Sequence, residues 1–212
     1  MRAATLRLLI GRVALHATLV SALVLAVGCG STLPKYDYTK EPDPRSRELT
    51  LGVGDSIAIN VWGETKDFNT DATIRPDGTI TMPLIGDIKA VGETPSTLKA
   101  KIKARLGDYV KLSSSAEITV AVKAWRSYRF TIQGEVTHAG VFTADQYVTV
   151  ADAMALAGGP SKFAKRNEIT LLRRDPKSGD IRKIPLDYDL IASGKRQDMN
   201  IYVLSGDTIW VP

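Results

Sequence analysis

From Leu49 onward the apolar and polar positions predict two successive modules of mixed sheet and helix. After the turn Gly54-Asp55, Ile57, Ile59 and Val61 alternate with Ala58, Asn60 and Trp62, which is the period of a strand. Ala72-Thr73-Ile74 and Thr79-Ile80-Thr81 flank Arg75-Pro76-Asp77-Gly78, a turn expected to close a hairpin. Thr94-Pro95 then opens a helix, with Thr94 as N-cap and Pro95 in the first helical position. Leu98, Ile102 and Leu106 share one face of it, and Lys99, Lys101, Lys103 and Arg105 lie largely off that face. Ile118, Val120 and Val122 alternate again, so residues 49–123 read as a small α/β module of hairpins around one helix.

A second module, residues 124–212, follows with little between. Tyr128, Phe130 and Ile132 alternate into Gly134-Glu135-Val136, and Val141-Phe142 returns after a turn at His138-Ala139-Gly140. Thr149 caps a helix and Asp152 completes a capping box; Val150, Ala153, Met154 and Ala157 form the apolar face, and Gly158-Gly159-Pro160 stops it. Residues 169–172, 181–186 and 201–211 are expected as further strands, an order that suits an α+β domain of the β-grasp type. Both modules contain a Gly-Asp turn before an alternating strand, Gly54-Asp55-Ser56-Ile57 and Gly206-Asp207-Thr208-Ile209, an echo too short to define a repeat.

The first 28 residues have a different character. Arg2, Arg7 and Arg12 precede a largely apolar, uncharged run from Val13 to Gly28, shorter than the ~20 residues of a membrane-spanning helix and laid out like a secretory signal. Leu25-Ala26-Val27-Gly28-Cys29 resembles a bacterial lipobox, with Ala26 where Leu is usual, which implies a lipidated Cys29. A short N-terminal anchor helix is the alternative. Residues 29–48 are rich in proline and alternating charge and read as a tether that could extend roughly 60 Å.

Cleavage before Cys29 removes three arginines and no acid, so the formal charge falls from +5 to +2 and bulk charge no longer argues for a polyanion such as nucleic acid. It also leaves His138 as the single histidine, and since the chain has one cysteine in all, HExxH and CxxC metal sites within one chain are excluded. A Ser-His-Asp hydrolase would have to use His138 with Asp145 or Glu135, yet no Gly-x-Ser-x-Gly elbow occurs. Gly52-Val53-Gly54 lacks the third glycine and the following helix of a dinucleotide loop, and no phosphate-binding Gly-x-x-x-x-Gly-Lys run occurs. No carboxylate pair is singled out for glycoside chemistry. Lys99, Lys101, Lys103, Arg105 and Lys111, together with Lys165-Arg166 and Arg173-Arg174, read as solvated faces, with contact to an acidic polymer or a neighbouring subunit as the sharper alternative.

Over residues 49–212 the sequence resembles the Wza-type polysaccharide export lipoproteins. The first-module residues that carry the resemblance are Leu51-Gly52-Val53-Gly54-Asp55, Ile59-Asn60-Val61-Trp62, Arg75-Pro76-Asp77-Gly78-Thr79-Ile80, Pro83-Leu84-Ile85-Gly86 and Val91-Gly92. In the second they are Gly134-Glu135-Val136, Ala157-Gly158-Gly159, Leu172-Arg173-Arg174 and Gly206-Asp207-Thr208-Ile209-Trp210-Val211-Pro212. The glycines and the aspartates beside them are expected to build turns rather than carry chemistry, and Pro83 to mark a strand end.

The resemblance implies an export domain followed by a soluble-ligand-binding β-grasp (SLBB) domain, and a non-enzymatic role without cofactor or metal. It further implies a periplasm-facing lipoprotein of the outer membrane that assembles into a homo-oligomeric ring and conducts polysaccharide. An inner-membrane polysaccharide copolymerase would feed it. Two departures stand out: Ala139-Gly140 replaces the usual Pro-Gly, and the sequence ends at Val211-Pro212 without the C-terminal membrane helix of larger members, so a separate outer-membrane β-barrel is expected to complete the path. The alternative is a lipid-tethered saccharide- or partner-binding adaptor with no conduit role.

Overall fold

The computed structural model describes residues 35–62, 68–110, 117–175 and 178–212. In the first module β1 (Ser56–Trp62) is the centre of a three-stranded antiparallel sheet, with β2 (Thr70–Thr73) on one side and β5 (Glu117–Ala124) on the other. Ile57 faces Ala72 on β2 and Val122 on β5, so the alternation seen in the sequence becomes one buried face. A separate hairpin joins β3 (Thr79–Met82) to β4 (Gly86–Lys89). The helix α1 (Pro95–Gly107) packs against β5. Its capping box is made by Thr94 and Thr97, and Leu98, Ile102 and Leu106 are fully buried with Ile57, Ile59 and Ile80.

Arg75-Pro76-Asp77-Gly78 does form a turn, with Gly78 N–H donating to the Arg75 carbonyl at 2.8 Å, but it does not close a hairpin. The strands on its two sides enter different sheets, because β2 pairs with β1 and β3 pairs with β4. The true hairpin turn is Pro83-Leu84-Ile85, where Leu84 takes a left-handed φ of 69°, a costly conformation for a residue with a Cβ.

The second module is a five-stranded sheet in the order β7-β6-β10-β8-β9. Its strands are β6 (Arg129–Gly134), β7 (Gly140–Thr143), β8 (Ile169–Arg174), β9 (Ile181–Leu186) and β10 (Thr208–Val211). β10 lies parallel to β6 and antiparallel to β8, and the other pairs are antiparallel. One face buries Phe130, Ile132, Leu171, Ile184 and Ile209 together with Val150, Ala153 and Met154 of α2 (Val150–Leu156). The Thr149–Asp152 capping box forms as the sequence indicates. Residues 201–211 are not one strand: Tyr202 makes only an isolated bridge to Thr149, and the turn at Ser205-Gly206 intervenes before β10. A helix the sequence did not suggest, α3 (Tyr188–Ala192), follows β9 and is capped by Asp187.

The expected tether also differs. Residues 35–48 are not extended away from the body but packed on it, through two short 3-10 turns at Tyr38–Lys40 and Pro44–Ser46, capped by Asp37 and Asp43. Tyr38 is buried and its hydroxyl donates to the Pro185 carbonyl at 2.5 Å. Arg45 lies over the Tyr202 ring, and the Glu48 carboxylate accepts from the backbone N–H and hydroxyl of Ser96 in the first turn of α1. The segment is a strap that touches both modules.

Gly134 ends β6 with φ +95°, and a Cβ there would fall 1.9 Å from the Val211 carbonyl oxygen, which accepts the Glu135 N–H. Gly134→Ala should therefore destabilise the protein by about 2–4 kcal/mol, read as a lower urea midpoint with unchanged slope.

Candidate functional site

The two Gly-Asp turns share one hydrogen-bond pattern, far beyond the two residues visible in sequence. Gly54 has φ +90° and Gly206 +87°. The N–H of Asp55 donates to the Gly52 carbonyl at 3.2 Å, and that of Asp207 to the Leu204 carbonyl at 3.1 Å. In return Asp55 Oδ2 accepts the Gly52 N–H at 2.8 Å, and Asp207 Oδ2 accepts the Leu204 N–H at 2.7 Å. Each turn feeds the central strand of its sheet, β1 or β10. What differs is where the rest of each carboxylate goes.

Asp55 is fully buried and reaches across to the start of the second module. Its Oδ1 accepts from the backbone N–H of Arg126 at 2.8 Å and of Ser127 at 2.7 Å, and Oδ2 accepts from the Ser127 hydroxyl at 2.8 Å. One anion thus satisfies four donors, three of them on the connection between the modules. Gly52 permits this closeness, since a Cβ there would lie 2.3 Å from Ser127 Cβ. The second Gly-Asp turn grips the same connection from the other side, with the Ser205 hydroxyl donating to the Ser127 carbonyl at 2.9 Å. Between them lies an open cleft of about 460 Å³ lined by Thr50, Gly52, Val53, Ser127, Arg129 and Ser205.

Asp207 pairs with Arg173, whose Nη2 also donates to the Tyr202 carbonyl at 2.8 Å. Arg173 Nη1 reaches Glu41 of the strap at 2.5 Å, and Glu41 takes Arg182 at 3.1 Å and the Tyr36 hydroxyl. Burial pulls the Arg173 guanidinium down, but the hydrogen bonds and charges of Asp207 and Glu41 outweigh it and hold it above its ordinary value. Burial, then the hydrogen bond to Glu41 and its charge, push the Tyr36 phenol up to about 12, so it keeps its proton and remains a donor. Arg173 was expected on a solvated face. It is buried because it shares the parity of Ile169 and Leu171, the core-facing residues of β8, a signal its basic neighbour Arg174 obscured.

The remaining motif residues are scaffold. Arg75 spans Thr79, Thr81 and Asp87, and Asp77 accepts the Thr79 N–H at 2.9 Å. Gly78 accepts from Ala90 and Val91 through its carbonyl, Pro83 follows β3, and Gly86 begins β4. Glu135 accepts the Ser161 hydroxyl at 2.7 Å, and the carbonyls of Gly158 and Gly159 accept from Thr137. His138 stands exposed in its turn, with its backbone N–H on the Ala157 carbonyl, while Glu135 is engaged by Ser161. On α1, Lys99 pairs with Glu117 and Lys101 with Glu93, so two of its cations are already matched within the chain. Among the described residues, no group of three or more His, Cys, Asp or Glu could hold a metal, and no helix is long and apolar enough to cross a membrane. The signal, Cys29 and Lys111 lie outside the described residues.

The polysaccharide biosynthesis/export protein family matches residues 43–123, and the SLBB domain matches residues 129–185. The chain belongs to the Wza-type polysaccharide export family. Similar proteins include the capsule polysaccharide export outer membrane protein CtrA of Neisseria meningitidis, 24% identical over 199 residues, covering 81% of this chain and 46% of that protein. The EPS I polysaccharide export outer membrane protein EpsA of Ralstonia nicotianae is 27% identical over 150 residues, 60% of this chain and 39% of that protein. The exopolysaccharide production protein ExoF of Rhizobium meliloti is 28% identical over 124 residues, 54% of this chain and 29% of that protein. The chain spans less than half the length of these relatives. The gap between the two family matches, residues 124–128, contains the segment that Asp55 holds.

Asp55→Ala would strand the four donors and loosen the junction. It should cost about 3 kcal/mol and speed tryptic cleavage after Arg126, detected by urea unfolding and by mapping the first cut in limited proteolysis.

Proposed function

We propose that this protein is a non-enzymatic component of a capsule or exopolysaccharide export machine, anchored at Cys29 to the outer membrane and facing the periplasm. In this reading several copies form a ring through which polysaccharide passes, fed by an inner-membrane copolymerase and continued by a separate outer-membrane β-barrel. The observation that carries it is the sequential pair of export and SLBB domains, along which the similarity to a capsule export outer membrane protein extends over 199 residues. Two features favour a part of an assembly over an isolated adaptor. The strap and the Asp55 junction fasten the two modules together, and β2, β7 and β9 are sheet edges that a neighbouring subunit could cover.

Removal of the protein from its host should stop polysaccharide from appearing at the surface while synthesis continues and polymer accumulates inside the cell. Unchanged surface polysaccharide would overturn the export reading. Cys29→Ser should abolish incorporation of labelled fatty acid and leave uncleaved precursor, checked by autoradiography and membrane fractionation. The full lipoprotein in detergent should form closed rings by electron microscopy, and a strictly monomeric mass would favour the adaptor instead.

A further inference from the structure

The strand register of the second module defines a second face, opposite the one that packs on α2. Its rows follow from the pairings. Gln133, Trp210 and Thr170 lie side by side on β6, β10 and β8, the three central strands. Pro185 on β9 extends that row; the next carries Val141, Thr131, Thr208, Leu172 and Lys183, and the row beyond it Thr143 and Arg129 on β7 and β6 and Arg174 and Ile181 on β8 and β9. Neighbours in one row on adjacent strands stand about 5 Å apart, and successive rows on a strand about 7 Å apart. The face is therefore mixed: an indole at its centre, flanked by Gln133 and Thr170, with Thr131 and Thr208 in the next row, apolar Pro185, Leu172, Val141 and Ile181 toward β8 and the sheet edges, and the cations Arg129, Arg174 and Lys183 to one side.

Trp210 is 46% exposed although its strand is the most central of the sheet. A large aromatic at that place on a core-facing position would be buried; here it presents a flat apolar ring to solvent between Gln133 and Thr170. None of the strand positions of this face is acidic. Arg129 donates to the Arg126 carbonyl and Arg174 to the Gly179 carbonyl, and among the described residues neither Arg129, Arg174 nor Lys183 is in an ion pair. Beyond the strands, Glu135 accepts from Ser161 and Glu168 pairs with Lys165, while Asp175, which accepts the Ser178 N–H, and Asp180 lie in the connection between β8 and β9. Arg129 also lines the cleft at the module junction, so the charged side of the face runs into a concave opening.

We infer that this sheet face is a contact surface for an acidic polysaccharide, with a sugar ring laid on Trp210 and its carboxylate or other anionic substituents drawn to Arg129, Arg174 and Lys183. The apolar C–H face of a pyranose matches an exposed indole, while Gln133, Thr170 and Thr208 can exchange hydrogen bonds with ring hydroxyls. Exposed cations confer weak, screened attraction, which suits a polymer that must keep moving. The charge of the chain as a whole is nearly balanced once the signal is removed, so selectivity arises from this local arrangement. The inference rests on the export reading and specifies the chemical class of its cargo.

The test uses the full lipoprotein in detergent with two probes of equal length, a linear oligogalacturonate and a neutral malto-oligosaccharide, measured by calorimetry and tryptophan fluorescence. The uronate should bind and the neutral glycan should bind at least about fivefold more weakly at low salt. Trp210→Ala should weaken uronate binding about tenfold. The double variant Arg174→Gln/Lys183→Gln, which removes two exposed charges and the Arg174 hydrogen bond to the Gly179 carbonyl, should weaken it roughly fivefold at low salt, with the difference closing near ~0.5 M salt. Lys103→Gln on α1 should change nothing, and circular dichroism confirms the fold of each variant. Equal binding of both glycans, or uronate binding indifferent to these substitutions, would overturn the inference. So would a Trp210→Ala variant that alters only the oligomeric mass, since a second copy would then cover the face. Each of these failures would leave the surface-polysaccharide defect of the deletion strain intact, whereas normal surface polysaccharide in that strain would sink the broader reading.

Discussion

A carboxylate removed from water must have all its lone pairs occupied, and Asp55 meets that demand with donors from two modules at once. The consequence is geometric as well as energetic. Because Asp55 immediately precedes β1, the centre of the first sheet, and Arg126 and Ser127 lie at the start of the second module, the buried carboxylate fixes one sheet relative to the chain entering the other. The nearly symmetrical turn at Asp207 repeats the device inside the second module, but spends its remaining acceptors on Arg173 and through it on the strap. The molecule thus has two buried anions in equivalent turns, one fastening module to module and one fastening the N-terminal segment to the sheet.

These two anchorages account for the Gly-Asp pairs in the motifs shared with the family. Gly52, Gly54 and Gly206 allow close approach or a positive φ, and Asp55 and Asp207 accept backbone N–H groups that would otherwise lack a partner. The proposed contact surface lies elsewhere, on the solvent side of the β-grasp sheet and in the cleft beside it.

Hydrophobic pattern found β1, β5, β6, β8 and β9, and with the cap residues it found α1 and α2, because their buried positions repeat with the pitch of the element. It failed where burial depends on a distant partner. Nothing in Arg75-Pro76-Asp77-Gly78 says that the strands beside it pair with other strands, since a turn sequence encodes local dihedrals and not sheet membership. The strap looked like a tether because proline and charge dominate residues 35–48, yet Tyr38 and Glu41 find burial and partners on residues 130 or more positions away. The role of Asp55 was half visible: the turn was readable, whereas its three donors on Arg126 and Ser127 were not. The solvent face of the second sheet was spelled out in the alternation of β6, β8 and β10, but its meaning required the register that sets Gln133 and Thr170 on either side of Trp210.

The position of β10 has a kinetic consequence. Residues 208–211 do not add an edge to a finished sheet; they enter between β6 and β8 and join two halves that otherwise share no strand pairing. Their partner on β6 emerged from the ribosome some seventy-seven residues earlier, so this module has to wait for the far end of its own sequence before it can close. Until then β6 and β8 both present unpaired edges. That interval is when the open edges expose the chain to aggregation and to proteases, and when a chaperone covering them would have the most effect.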